Sequence, residues 1–237
     1  MTVPTVARLD YAPVPIKMWI HSQVEATFRV KAASKEPWTV DFIESMSGED
    51  VLYDIGANVG SYTLIAAARG QRVVAVEPGA QNYAALVKNL ILNGVNERVV
   101  PLPIALGAQN CLLWLNYSDL APGSASHVLG QSAPGDKPIW FHRMPVMTLK
   151  LDEIIKVLGL PEPTHIKLDT DGSESLVLAG AVRILKTKTM RGLMMEMKLD
   201  QEEVLVQGLA EHGLKLAARF DERNGKKIGI AYGRFER

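Results

Sequence analysis

From residue 50 onward, short runs of consecutive apolar residues alternate with longer stretches in which apolar positions recur three and four apart. The runs at 51–55 (VLYDI) and 72–77 (RVVAVE) read as buried strands, because a central parallel strand is covered on both faces. Between them, 61–69 reads as a helix of small residues closed by Gly70 at its C′ position. Tyr83, Leu86, Val87, Leu90 and Ile91 mark one face of a second helix, which stops at Asn93-Gly94. The third strand region, 98–106 (RVVPLPIAL), carries prolines that predict an edge or a bulge.

The rhythm then breaks. Two strand-like runs, 111–117 and 139–147, flank a loop at 119–138 rich in Gly, Ser and Pro. They predict an inserted β-hairpin over about 108–147, with a loop long enough to be functional. Alternation resumes with a helix bearing Leu151, Ile154, Ile155 and Leu158, then a strand at 164–169. A helix over 174–185 follows, with Glu174 near its positive end, and a strand at 192–198. Asp200 and Glu203 have capping-box spacing for a helix ending before Gly213. The runs 214–220 and 227–235 form a closing hairpin around DERNGK. Residues 1–48 mix helical patches with prolines and read as an extension packed on a main domain of residues 49–237. The whole is an α/β pattern with a mostly parallel sheet.

Composition narrows the function. The chain has 26 Lys and Arg against 26 Asp and Glu, a balance that argues against a protein built to grip nucleic acid or an anionic membrane. The single cysteine, Cys111, excludes an intrachain disulfide and a cysteine zinc site. In its apolar run it reads as a small buried hydrophobe, and Met190, Met194, Met195 and Met197 read as core fillers. The first ten residues hold no uninterrupted apolar stretch, and prolines and asparagines interrupt the longest uncharged run. The expectation is a cytoplasmic protein without a membrane span.

The segment with most chemistry is DIGANVG, Asp54 to Gly60. A strand ends in an acid, a glycine-bearing turn follows and a helix begins, so backbone N–H groups are offered to a ligand. The dinucleotide pattern G-x-G-x-x-G is missing, and no Gly-Lys-Ser/Thr follows to make a P-loop. An acid at that strand end suits a ligand carrying an ammonium group, such as S-adenosylmethionine (SAM). Glu77 ends the second strand, where an acid accepts hydrogen bonds from both ribose hydroxyls of a nucleotide cofactor. A solvated acid whose replacement by alanine leaves the fold intact is the expectation for its structural role.

Taken together, DIGANVGSYTLIAA, AVEPGAQNYAALVKNLILN and IKLDTDGSESLVLAGA resemble the FkbM family of SAM-dependent methyltransferases, over roughly residues 37–197. The resemblance implies a class I methyltransferase fold, a Rossmann-like α/β sheet of seven strands with the last one antiparallel. It implies SAM as methyl donor, S-adenosylhomocysteine (SAH) as product, and a hydroxyl acceptor on a sugar, polyketide or similar small molecule. By that similarity Asp54, Gly56, Asn58 and Gly60 hold the methionine half of SAM. Glu77 holds the ribose, Pro78 shapes the adjoining turn, and Ala105 lies near the adenine. Asp169 faces the sulfonium and orients or deprotonates the acceptor, with His142 on the hairpin as second candidate. Where the family reads D-x-E-G-x-E, this chain has Asp171, one methylene shorter.

No metal is assigned. A magnesium site of Asp169, Asp171 and Glu174 is the alternative, as hard oxygen ligands cluster there. Trp19, Trp38, Trp114 and Trp140 lie in the extension and the hairpin, and read as packing groups with some at the acceptor pocket. Three rival functions stay open: N-methylation of an amide or peptide side chain, a non-catalytic SAM-binding subunit, and an NAD-dependent oxidoreductase. The acceptor and the oligomeric state are not legible.

Overall fold

The computed structural model describes residues 5–130, 142–221 and 229–237. The extension opens with an antiparallel pair, β1 (Thr5–Arg8) and β2 (Lys17–Ile20), followed by α1 (Gln23–Thr27), α2 (Ala32–Lys35) and α3 (Pro37–Glu44). The main domain begins with β3 (Val51–Ile55), α4 (Ser61–Ala68), β4 (Arg72–Val76), α5 (Ala80–Leu92) and β5 (Val99–Leu102). The insertion contributes β6 (Ala105–Leu106), β7 (Cys111–Tyr117), β8 (Val128–Leu129) and β9 (His142–Leu149). The domain is completed by α6 (Leu151–Val157), β10 (His165–Leu168), α7 (Glu174–Ala179), α8 (Val182–Leu185), β11 (Gly192–Lys198), α9 (Glu202–Glu211), β12 (Lys215–Asp221) and β13 (Ile230–Glu236).

Seven strands form one sheet in the order β12-β13-β11-β10-β3-β4-β5. All its pairs are parallel except those of β13, the last strand, which runs antiparallel to both neighbours. The prolines of the third strand region do mark an edge, since among the described residues β5 pairs only with β4. That region then leaves the sheet: Ala105 and Leu106 join a separate four-stranded sheet, β6-β9-β7-β8. The inserted hairpin is therefore β7 with β9, widened by two short strands. The turn DERNGK beyond Asp221 and the start of the 139–147 run lie outside the described residues.

Side chains alternate across a strand, so each central strand feeds two cores. Leu52, Val73, Ala75 and Met194 pack with α4, α5 and extension residues Leu9, Tyr11, Ile16, Met18, Phe42 and Ile43. Val51, Tyr53, Ile55, Val74, Ile166, Leu193 and Met195 pack with α6 to α9 on the other face. The four methionines are fully buried, whereas Cys111 is only half-buried. The extension docks through polar groups too: Asn89 Oδ1 accepts from Trp19 N at 2.8 Å, and Asn93 Nδ2 donates to Lys17 O at 2.7 Å.

Two helix readings need correction. Residues 174–185 form two helices, because α7 ends at Gly180, where a Cβ would stand 2.1 Å from the carbonyl oxygen of Gly107. No capping box forms at Asp200; α9 is capped by Gln201 in an αR conformation without a side-chain bond, after a turn from Lys198. A capping box does occur at Ser22 and Glu25, opening α1. Among the described residues, no helix is long and apolar enough to cross a membrane.

Candidate active site

The site grows from strand register. Asp54 shares the α4-facing side of β3 with Leu52, and β10 is registered so that Lys167 sits beside it. On β11, Glu196 points to that same face and is registered with Tyr232 of β13, whose hydroxyl donates to Glu196 Oε2 at 3.2 Å. The carboxyl ends of β3, β10 and β11, with the amino end of the antiparallel β13 beside them, thus carry a polar row, Asp54, Lys167, Glu196 and Tyr232, on the face where the extension packs. An otherwise apolar sheet end of this kind is where α/β proteins hold ligands.

Lys167 is the electrostatic centre. It is 3% exposed, and its Nζ lies 3.5 Å from Asp54 Oδ1, 3.5 Å from Asp169 Oδ2, and donates to Gly56 O at 3.2 Å. Burial works against its charge, but Asp169, Asp54 and Glu36 outweigh it and hold the ammonium protonated, its pKa above the ordinary lysine range. Nothing in the sequence reading assigned Lys167 a role. The signal was there, since a lysine inside a buried parallel strand must have partners.

The turn after β3 folds back tightly. Gly56 has φ +81°, and a Cβ there would meet the carbonyl oxygen of Asp169 at 1.8 Å, so only glycine fits. Asn58, in the left-handed region at φ 51°, donates its backbone N–H to Glu77 Oε2 at 2.8 Å. Glu77 Oε1 accepts from Gly79 N at 2.8 Å. Far from being a solvated acid, Glu77 is 5% exposed and ties two turns together, and burial pushes its pKa up to about 7. Its removal therefore cannot leave the local structure untouched.

A cavity of about 410 Å³ opens above these groups, within the size range of small-molecule sites. Gly56, Asn58, Glu77, Pro78, Ala105 and Asp169 all line it, so six of the sequence-nominated residues converge. Three do not reach it. Asp54 is fully buried behind the turn, accepting from Thr63 Oγ1 at 2.6 Å and facing Lys167. Gly60 lies at the start of α4, packed against Leu86. His142 is exposed at the head of β9, in register with Tyr117. The histidine that the insertion does bring to the wall is His127, its ring tilted against Tyr117 with centroids 4.9 Å apart and its pKa lowered by burial.

The rest of the wall comes from segments the sequence did not join. Residues 121–127 form a strap held by four elements. Asn58 Nδ2 and Asn82 Nδ2 donate to Ser124 O at 2.9 and 3.1 Å, and Asn82 Oδ1 accepts from Gly123 N at 2.8 Å. Arg29 Nε donates to Gly123 O at 2.7 Å, and Ser126 N donates to Asp171 Oδ2 at 2.8 Å. Asn58, Ser126 and Asp171 are the non-glycine residues with positive φ among the described residues, and all three line the cavity. Backbone strain of this kind gathers at functional sites. From the extension come Phe28, Arg29, Lys35 and Glu36, and from α4 Tyr62. Trp19, Trp38 and Trp114 are not on the wall; Trp38 stacks on Phe220 instead. Trp140 lies outside the described residues.

The acids at the Asp169 end converge differently from the sequence alternative. Asp169, Asp171 and Glu196 each bring a carboxylate oxygen within 4.8 Å of the others. Glu174 is withdrawn from that group because its Oε1 accepts from Thr170 N, Thr170 Oγ1 and Gly172 N, fixing the 170–172 loop.

This sheet order, with a glycine turn and an acid at the first two strand ends, defines a class I methyltransferase fold. A SAM-dependent methyltransferase from Agrobacterium tumefaciens superposes with a TM-score of 0.51 at 10% identity, covering all of this chain and 72% of that one. The P. horikoshii protein TYW2, solved in complex with MeSAdo, superposes with a TM-score of 0.53 at 12% identity, covering 98% of this chain and 70% of that one. Residues 54–217 match the methyltransferase FkbM domain, and the chain belongs to that family. The hexuronic acid methyltransferase AglP of Haloferax volcanii is 24% identical over 165 residues, 69% of this chain and 64% of that protein's length.

The site suits the cofactor of that fold. The Glu77 carboxylate takes donors from Gly79, Asn58 and the Asn82 side chain and, with about four lone-pair sites, keeps capacity for a ribose hydroxyl. Ser124 Oγ, on the wall, is buried without a hydrogen-bond partner among the described residues, a vacancy of the sort a polar ligand fills. The domain is thus a SAM-dependent methyltransferase domain.

Proposed function

We propose that this protein transfers the methyl group of SAM to an oxygen of a sugar-like small molecule. The observation that carries the reading is the convergence of the Gly56–Asn58 turn, Glu77 and Asp169 on one cavity. Glu77 binds the ribose hydroxyls, and Pro78 and Ala105 flank the base. The backbone of Gly56 and Asn58 contacts the methionine half, while Asp54 and Gly60 support that turn from behind. Bound there, SAM supplies a methyl group on a sulfonium, open to in-line displacement. Alignment of the acceptor is worth roughly 7–11 kcal/mol in such reactions. Asp169 orients the acceptor oxygen and takes its proton, a contribution of ~10²–10⁴-fold. Lys167 keeps Asp169 in place beside the cofactor turn.

The acceptor class rests on the kinship with a hexuronic acid methyltransferase and on a wall that mixes Phe28 with hydrogen-bonding groups. Calorimetric titration with SAM, SAH and NADH, in EDTA and again with magnesium, tests the cofactor. Micromolar binding of SAM and SAH is expected, with none for NADH; the reverse order would reinstate the oxidoreductase reading. Turnover by the SAM-loaded protein on a panel of uronates, neutral sugars and amides then separates O- from N-methylation, and its absence from every acceptor would favour a non-catalytic subunit.

A further inference from the structure

Resting on that cofactor reading, we infer that Arg29 is the carboxylate-binding residue of the site, taking a reactant carboxylate on its terminal guanidinium nitrogens. Three cations line the cavity: Arg29, Lys35 and Lys167. Two are already neutralised by the protein. Lys35 Nζ lies 2.8 Å from Glu36 Oε1, and Lys167 lies between Asp54 and Asp169. Arg29 makes no ion pair among the described residues. Among the described residues its one side-chain bond is from Nε to the carbonyl oxygen of Gly123 on the strap. That bond fixes the plane of the guanidinium and leaves the paired terminal N–H groups, a fork that matches a carboxylate in bidentate fashion.

The surroundings favour an incoming anion at that point. Arg29 lines the cavity together with Tyr62 and His127, and its positive charge acts on both. Ser61, the first residue of α4, donates its hydroxyl to the backbone oxygen of Arg29 at 3.0 Å. The arginine is thereby seated against the start of an eight-residue helix, whose free N–H groups add to its attraction for an anion. The acids Glu36, Asp169 and Asp171 occupy the rest of this wall and suit cationic or hydroxyl groups. A ligand that carries both an ammonium and a carboxylate therefore has one unneutralised side-chain cation to which the carboxylate can turn.

Two reactants could supply that carboxylate: the methionine end of SAM, or a uronate acceptor. Calorimetry on the full-length protein and on Arg29→Gln distinguishes them, using SAH, its decarboxylated analogue with an aminopropyl chain, and, on SAH-loaded protein, glucuronate against glucose. If the carboxylate belongs to SAM, Arg29→Gln weakens SAH by about tenfold to a hundredfold, the range of a charge-assisted bond, and leaves the analogue unchanged. If it belongs to the acceptor, SAH binding holds and the preference for glucuronate over glucose is lost. Equal weakening of SAH and the analogue would mean that Arg29 only anchors the strap, and would overturn the inference; so would no change in any titration. Failure of the unmodified protein to bind SAH at all would instead bring down the cofactor reading.

Discussion

At the Glu77 end of the cavity, the wall is made by a strand end and two turns: Glu77 grips Gly79, two residues on, and Asn58, nineteen residues back. At the Asp169 end, the wall is made by the extension, the strap and three strand ends. Its bonds join Asp171 to Ser126 across 45 residues and Arg29 to Gly123 across 94. The first region is built by bonds between short-range neighbours. The second is an assembly of segments distant in the chain. The difference teaches that the floor of the cavity is closed by neighbouring turns, and the opposite wall by contacts between the extension and the strap.

The sharpest test of this division is Asp169→Asn. It should cut turnover by ~10²–10⁴-fold and leave SAH affinity within a few-fold in calorimetry. A large loss of SAH affinity would move Asp169 to the cofactor end. Lys167→Met touches both ends at once, since it strands the buried Asp54 carboxylate. Breaking such a pair costs about 3–5 kcal/mol, so calorimetric melting should fall by about 10 °C for a chain of this size. An unchanged melting temperature would show that Lys167 does not bind the two regions together.

Asn82→Ala removes both bonds that hold the strap to α5. An expected loss of about 1–3 kcal/mol should appear as faster amide exchange over 121–127, with β3 and β4 unaffected. Exchange spreading into those strands would erase the division between floor and strap.

The smallest effect is a pH dependence at Glu77. Its folded pKa of about 7 exceeds the ordinary 4.5. Stability from this group is therefore full below the unfolded value and is lost as pH rises through 7. Ribose hydroxyls donate to the ionised form, so SAH affinity runs the other way and should rise about tenfold from pH 6 to pH 8. Glu77→Gln should flatten that profile; a flat profile in the unmodified protein would place the ribose elsewhere.

The contrast also explains what could be read in advance. The strand at 51–55 and the helix with its Leu86 face were legible because periodicity reports burial directly, whereas the antiparallel last strand was implied by the family resemblance. Gly56 and Glu77 were legible because a local turn announces its chemistry. The extension was not: β1 and β2 are four residues each, too short for a pattern, and β2 is held by Asn89 of α5 and by Asn93 at that helix's C-cap. The same three-residue spacing gave a capping box at Ser22 and none at Asp200, because the conformation of Gln201, and not the spacing, sets that cap. Histidine identity misled too, since only the path of the strap decides that His127 and not His142 meets the cavity.

By itself, then, the sequence determined the alternation of strands and helices, the glycine turn, the acid at the end of β4 and the family resemblance, all properties of contiguous residues. Only the tertiary structure decided that Lys167 stands between Asp54 and Asp169, that Glu196 replaces Glu174 among the converging acids, and that Arg29 faces the cavity. The physical reason is register and long-range closure. Which side chains meet across neighbouring strands, and which loop closes over them, depends on pairings between distant segments that no local periodicity encodes.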